Sequence, residues 1–134
     1  MKKRLLALLM VVSIVFSLSA CGDSAPDTLS KDTYKLGKEA LSVMDKYLAE
    51  KMDADEAEKK LSNVMTQLEE EADTLSKKSA EGDIEATGYN FYNGTVSFWV
   101  SSFVMGMYGY ENTAGNTYDC QSVRDSLAEV LEVK

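Results

Sequence analysis

The stretch ALSVMDKYLAEKMDADEA, residues 40–57, contains the end of one helical pattern, a short link and the start of another. From about Ser30 to Lys51 apolar residues recur at three- and four-residue steps with charged residues on the other side, which predicts an amphipathic helix. Asp53 then precedes a second periodic run and Glu56 follows it by three positions, a pattern typical of a capping box at a helix start. Because so short a link joins two long helices, we expect an antiparallel helical hairpin.

The second helix is predicted to begin at Asp53 and to have its apolar side between Ala57 and Leu75. It is predicted to end near Lys77 and Lys78, ahead of Gly82. Basic residues in a last turn and a glycine just beyond it are typical of a helix end.

A further amphipathic helix is predicted over roughly Tyr118 to Val133, after the polar loop 111–116. Its apolar side consists of Cys120, Val123, Leu127, Val130 and Leu131. The position of Cys120 on that side favours a small buried hydrophobic residue over an exposed thiol for intermolecular pairing.

Between Glu85 and Glu111 lie 25 consecutive residues without a charge, and they hold most of the aromatic residues of the chain. At helical period one apolar stripe, which suits the core of the bundle, is formed by Tyr89, Tyr92, Val96, Trp99, Phe103 and Met107. Phe91, Phe98 and Met105, spaced by sevens, form a second row well away from that stripe, because each residue turns a helix by about 100°. One helix then has two apolar sides.

Two interpretations of this segment stay open: burial as the central helix of a bundle, or exposure of the Phe91, Phe98 and Met105 row as a contact surface. A membrane span is disfavoured by the asparagine, serine and glycine content and by the acidic flanks. Asn93-Gly94 is also a signal for a β-hairpin turn. Helix is preferred because the apolar residues after Gly94 fit helical steps better than strict alternation.

Residues 1–20 have the pattern of a secretory signal peptide, with a basic start at 2–4, an apolar run over 5–18 and small residues before position 21. The apolar run is shorter than the roughly 20 residues of a membrane span. Leu18-Ser19-Ala20-Cys21 resembles the processing site of bacterial lipoproteins, the lipobox. The resemblance implies that Cys21 receives a diacylglyceryl group and begins the mature chain, anchored to the cell membrane; the alternative is a plain signal peptide or an uncleaved anchor.

Residues 21–29 contain turn-forming residues, including the single proline, and are predicted to form a short linker ahead of one helical domain over 30–134. Loss of three of the 14 basic residues with the signal peptide leaves 11 against 22 acidic ones, a net charge of −11. Such a surface is repelled by nucleic acid and by anionic headgroups. With Cys21 lipidated, Cys120 has no partner for an internal disulfide.

The chain has no histidine, no Gly-x-Ser-x-Gly motif and no phosphate-binding glycine loop. We therefore expect no enzyme, no catalytic residue and no cofactor other than the lipid on Cys21.

The acidic run 53–58 begins like a calcium loop, but Ala57 stands where a ligand is required and Glu58 where a glycine is required. No metal site is predicted.

Residues 40–48, 53–57 and 123–131 are similar to those of small helical lipoproteins of Gram-positive gut bacteria, and this resemblance implies a helical fold without a particular activity. We expect an all-α protein, an antiparallel four-helix bundle or a pair of helical hairpins, after a lipoprotein signal peptide. The expected function is that of a membrane-tethered, extracytoplasmic, non-catalytic lipoprotein that binds an envelope protein or peptide. The alternatives are capture of a small apolar or aromatic ligand in a pocket between helices, and self-association through the second row.

Overall fold

The computed structural model describes residues 24–111 and 114–133. Its helices are α1 (Lys31–Leu48), α2 (Ala54–Ala80), α3 (Ile84–Met107) and α4 (Cys120–Val130). The described residues form no strand, only an isolated bridge between Glu111 and Thr117. The expectation of an all-α fold is confirmed for this part of the chain. The predicted signal peptide, 1–20, and the predicted lipid attachment residue, Cys21, lie outside the described residues.

Each helix begins after a polar residue whose side chain accepts a hydrogen bond from the amide three positions on, which satisfies one of the unpaired donors of the first turn. These capping residues are Ser30, Asp53, Asp83 and Asp119. The predicted helix start at Asp53 is confirmed, since Oδ1 of Asp53 accepts from the Glu56 amide at 2.8 Å.

The first helix ends at Leu48, earlier than the predicted Lys51. Glu50 has φ of +55°, which lies in the left-handed region and does not continue a right-handed helix. The turn therefore closes within residues 49–53, and α2 starts directly after it.

Helices α1, α2 and α3 are consecutive antiparallel neighbours. Ser30, at the start of α1, hydrogen-bonds Glu71 in the later part of α2. Along α2 and α3, Ser76 contacts Asn90 whereas Glu58 contacts Tyr108, so the two helices run in opposite directions.

Helix α4 completes the bundle by packing antiparallel to α1. Leu131 lies against Gly37, and Arg124 binds Asp45 with 2.7 Å between Nε and Oδ1. Helix α4 also packs against α3, whereas no Cα atoms of α2 and α4 approach within 8 Å of each other. The four helices thus pack as a bundle in which α1 and α3 separate α2 from α4.

The first predicted apolar stripe of α3 faces the core of this bundle. Val96, Val100 and Phe103 are fully buried, and the Phe103 ring meets the edge of Tyr47 with 5.8 Å between ring centroids. Their neighbours in the core come from the other three helices; the largest fully buried ones include Met44, Leu61, Leu68, Val64 and Leu127.

The described part of the predicted linker packs onto this core. Leu29 is buried, Ala25 packs against the core residues, and the Leu29 amide donates to the Pro26 carbonyl at 3.0 Å. The bundle thus begins several residues before the first helix.

Helix α3 runs without interruption through Asn93-Gly94, so the β-hairpin alternative is wrong. The reason is that Asn93 is buried and its side chain is used in the core. Its amide nitrogen donates to the Leu68 carbonyl at 2.9 Å, and its oxygen accepts from the Thr33 hydroxyl at 2.9 Å. Asn93 thereby joins α3 to both α2 and α1.

In the part of the chain that the structure describes, no helix has the length and apolar character of a membrane span.

Candidate docking surface on α3

The row predicted from the seven-residue spacing lies on the outside of α3. Phe91 is 71% exposed, Phe98 53% and Met105 42%. Of the two interpretations of this row, exposure is the one the structure shows. Ile84, seven residues before Phe91 and 86% exposed, continues it to four residues. The four residues Ile84, Phe91, Phe98 and Met105 are called the α3 row below.

The row predicted from the sequence did not include Ile84, because this residue precedes Glu85 and lies outside the uncharged segment. The seven-residue spacing, extended one step toward the N-terminus, would have found it.

The two exposed phenylalanine rings rest on neighbours that are held by the core. Phe91 meets Tyr92 edge-on with 5.4 Å between ring centroids, and Phe98 meets Trp99 with 5.0 Å between centroids. Tyr92 and Trp99 are half-buried and pack against the core residues. These edge-to-face contacts limit the freedom of the exposed rings, so less ordering is needed when a partner binds.

Small residues lie between the large ones along the same side of α3. Thr87, Gly94 and Ser101 each follow a row residue by three positions. A Cβ atom on Gly94 would have no neighbouring part of the chain within 4 Å, whereas one on Gly106 would lie 2.7 Å from the Tyr118 carbonyl oxygen. Gly106 is therefore required by the packing of α3 against the segment before α4, and Gly94 has no packing role inside the bundle.

The electrostatic character of α3 differs from that of the other helices. No charged residue occurs from 86 to 110, while the whole chain has a net charge of −8. Just beyond the helix, the Tyr108 hydroxyl donates to the Glu58 carboxylate at 2.5 Å. That hydrogen bond, with a smaller effect of desolvation, raises the pKa of Tyr108 to about 12. From residue 86 onward the side of α3 that bears the row is thus uncharged, while its first residue, Ile84, lies between the exposed Asp83 and Glu85.

Cys120 is half-buried, so it is neither the fully buried residue nor the exposed thiol that the sequence suggested as alternatives. Its Sγ lies 3.8 Å from the Phe103 carbonyl oxygen. Burial, and then the negative charge of Asp119, raise the pKa of the thiol. A raised pKa keeps the thiol protonated at neutral pH, where it is a poor nucleophile.

The aromatic residues of α3 line a surface groove beside the start of the described chain. This groove is formed by Asp27, Thr28, Glu85, Gly88, Tyr89 and Tyr92. Two carboxylate residues border it, unlike the largely apolar lining of a typical small-molecule site. Over residues 24–111 and 114–133, no three histidine, cysteine, aspartate or glutamate side chains are grouped closely enough to hold a metal ion.

Comparisons of the chain with protein-family models, with curated proteins and with solved structures gave no match. Its function is therefore inferred from the α3 row and from the sequence around Cys21.

Proposed function

We propose that this protein is a lipid-anchored, non-catalytic protein on the extracytoplasmic face of the cell membrane, and that it binds an envelope protein or peptide through the α3 row. The observation that carries the proposal is the exposure of Phe91 and Phe98, each more than half accessible. Large apolar side chains that are exposed side by side indicate an interaction site. Aromatic residues and methionine are also the types enriched at protein interfaces.

The anchor rests on the resemblance of Leu18-Ser19-Ala20-Cys21 to a lipoprotein processing site. Because Ala25 already packs against the core, a lipid on Cys21 would lie within about 14 Å of the bundle, at about 3.5 Å per residue of extended chain. A domain held so close to the membrane meets partners that are themselves in the envelope.

The absence of catalysis is proposed from the available side chains. The chain has no histidine, and the raised pKa of Cys120 makes its thiol a weak nucleophile. Capture of a small apolar or aromatic ligand stays the alternative function. It has weaker support, since the groove that Tyr89 and Tyr92 line is bordered by Asp27 and Glu85.

Partner binding is tested by placing a photocrosslinking amino acid at position 98 in intact cells and identifying the adducts by mass spectrometry. The matched control is position 63 on α2, where the native Asn63 is also exposed. We expect a specific protein adduct from position 98 and only background from position 63. Equal background from both positions would overturn the proposed docking role.

The anchor is tested separately with Cys21→Ser. This substitution is expected to abolish incorporation of labelled fatty acid, and to release the protein from the membrane or leave it unprocessed. Unchanged lipid labelling would remove Cys21 as the attachment residue.

A further inference from the structure

We propose that the partner of the α3 row is α3 of a second copy of this chain, packed antiparallel with a two-fold axis beside Gly94. The inference rests on the proposed function, because it names the partner of the same surface.

The spacing of the row is suited to a two-fold arrangement. The row extends from Ile84 to Met105, and its midpoint falls between Gly94 and Thr95. In an antiparallel pair centred there, Phe91 lies opposite Phe98 of the second copy, and Ile84 lies opposite Met105. Each large apolar residue of the row then meets another one, as a self-complementary two-fold interface requires.

Gly94 occupies the place where the two helices of such a pair would cross. A glycine allows the closest approach of two backbones because it has no Cβ atom. Since no residue of the other helices comes within 4 Å of a Cβ atom placed there, close approach of a second molecule would give this mid-helix glycine a structural role.

The charge of the protein favours this surface over the others for self-association. The mature chain would carry a net charge of −11, so two copies repel each other in general. Helices α1, α2 and α4 all expose charged side chains, whereas residues 86–110 contain none.

The area of the contact indicates where the dimer forms. The row is about 31 Å long at 1.5 Å per residue, and a helix is about 10–12 Å wide, which gives a contact of roughly 350 Å² per copy. A stable interface buries about 800 Å² per partner. The dimer is therefore weak in free solution and forms where the lipid anchors hold copies together on one membrane, because tethering raises the effective concentration.

The test is disulfide crosslinking of the full, membrane-anchored chain in a Cys120→Ser background. One variant carries Gly94→Cys and the matched control carries Thr87→Cys; both positions are exposed on the same side of α3. In the antiparallel pair the two copies of residue 94 meet, while the two copies of residue 87 lie about 22 Å apart. A disulfide needs Cβ atoms about 4 Å apart, so we expect roughly tenfold more covalent dimer from position 94.

Equal dimer yields at positions 94 and 87, or no dimer at either, would overturn the inference. A water-soluble maleimide, applied to the same two cysteine variants, shows whether the α3 row is covered by lipid. Cysteines that are protected from the maleimide without forming a covalent dimer would also overturn the inference. If position 98 crosslinks to a different protein and position 94 gives no dimer, the second copy is excluded while the proposed docking role stands. If position 98 gives no adduct above background, the docking role itself fails.

Discussion

At the scale of single residues, Asn93 shows how one polar side chain can position three helices. It is 1% exposed, and its amide links the Leu68 carbonyl to the Thr33 hydroxyl. Buried polar groups of this kind are costly unless they are paired. The pairing therefore favours one arrangement of α1, α2 and α3 over alternatives in which Asn93 would lose these partners.

We predict that Asn93→Ala lowers the free energy of unfolding by about 1–3 kcal/mol, because it leaves buried groups without a partner. The matched control is Asn90→Ala on the same helix, whose hydrogen bond to Ser76 is exposed and whose loss should cost less than about 1 kcal/mol. Urea unfolding followed by circular dichroism measures both. Equal losses for the two variants would contradict the role assigned to Asn93.

Tyr108 provides a pH-dependent contact, since its hydrogen bond to Glu58 raises its pKa from 10.0 to about 12. The unfolded chain loses this proton first, so stabilisation from the contact is present below pH 10 and is lost as the pH rises from 10 to 12. An NMR titration of the Tyr108 ring should give the raised value, and Glu58→Gln should return it toward 10.0. If Tyr108 of the protein without substitutions titrated with an ordinary tyrosine pKa, the hydrogen bond to Glu58 would not be formed.

At the scale of the element, two of the three glycines of α3 have opposite roles. Gly106→Ala should destabilise the fold by about 1–3 kcal/mol, because the new methyl group would overlap the Tyr118 carbonyl oxygen. Gly94→Ala should instead raise stability by up to about 1 kcal/mol, since the site is open and alanine favours helix. Thermal unfolding of both variants measures the difference. A destabilising Gly94→Ala in the unanchored domain would mean that the site is packed within the bundle.

The helices themselves were largely predictable from the sequence, because their start and end signals are local. Asp53 with its capping pattern located the start of α2, and Gly82 its end. Helix α1 was predicted too long, since the left-handed backbone at Glu50 has no signal in the residue type. The hairpin signal at Asn93-Gly94 misled for a related reason: the partners of Asn93 lie on two other helices, and a local pattern contains no information about them.

The docking surface could be predicted only in part. The spacing identified two apolar sides on α3 and assigned the longer stripe to the core, but periodicity alone could not decide whether the second row is buried or exposed. That choice is made by tertiary packing: Val96, Val100 and Phe103 fit among the core residues of the other helices. The row of Phe91 and Phe98 is left outside.

At the scale of the whole molecule, the chain is acidic and its described residues form a helical bundle with an exposed apolar row on α3. The core is filled from all four helices, so close packing of apolar side chains holds the described residues together. The proposed anchor at Cys21 and the early packing of Ala25 would keep the bundle close to the membrane. Exposure of the α3 row, and not chemistry at a catalytic centre, is the basis of the function proposed here.

The most direct test compares unfolding of Phe98→Glu and Phe103→Glu by circular dichroism. The two residues lie on the same helix and receive the same charge, but Phe98 is 53% exposed and Phe103 is fully buried. We predict that Phe98→Glu changes the free energy of unfolding by no more than about 1 kcal/mol, whereas Phe103→Glu unfolds the domain. If Phe98→Glu unfolds it equally, the row belongs to the core and the docking surface does not exist.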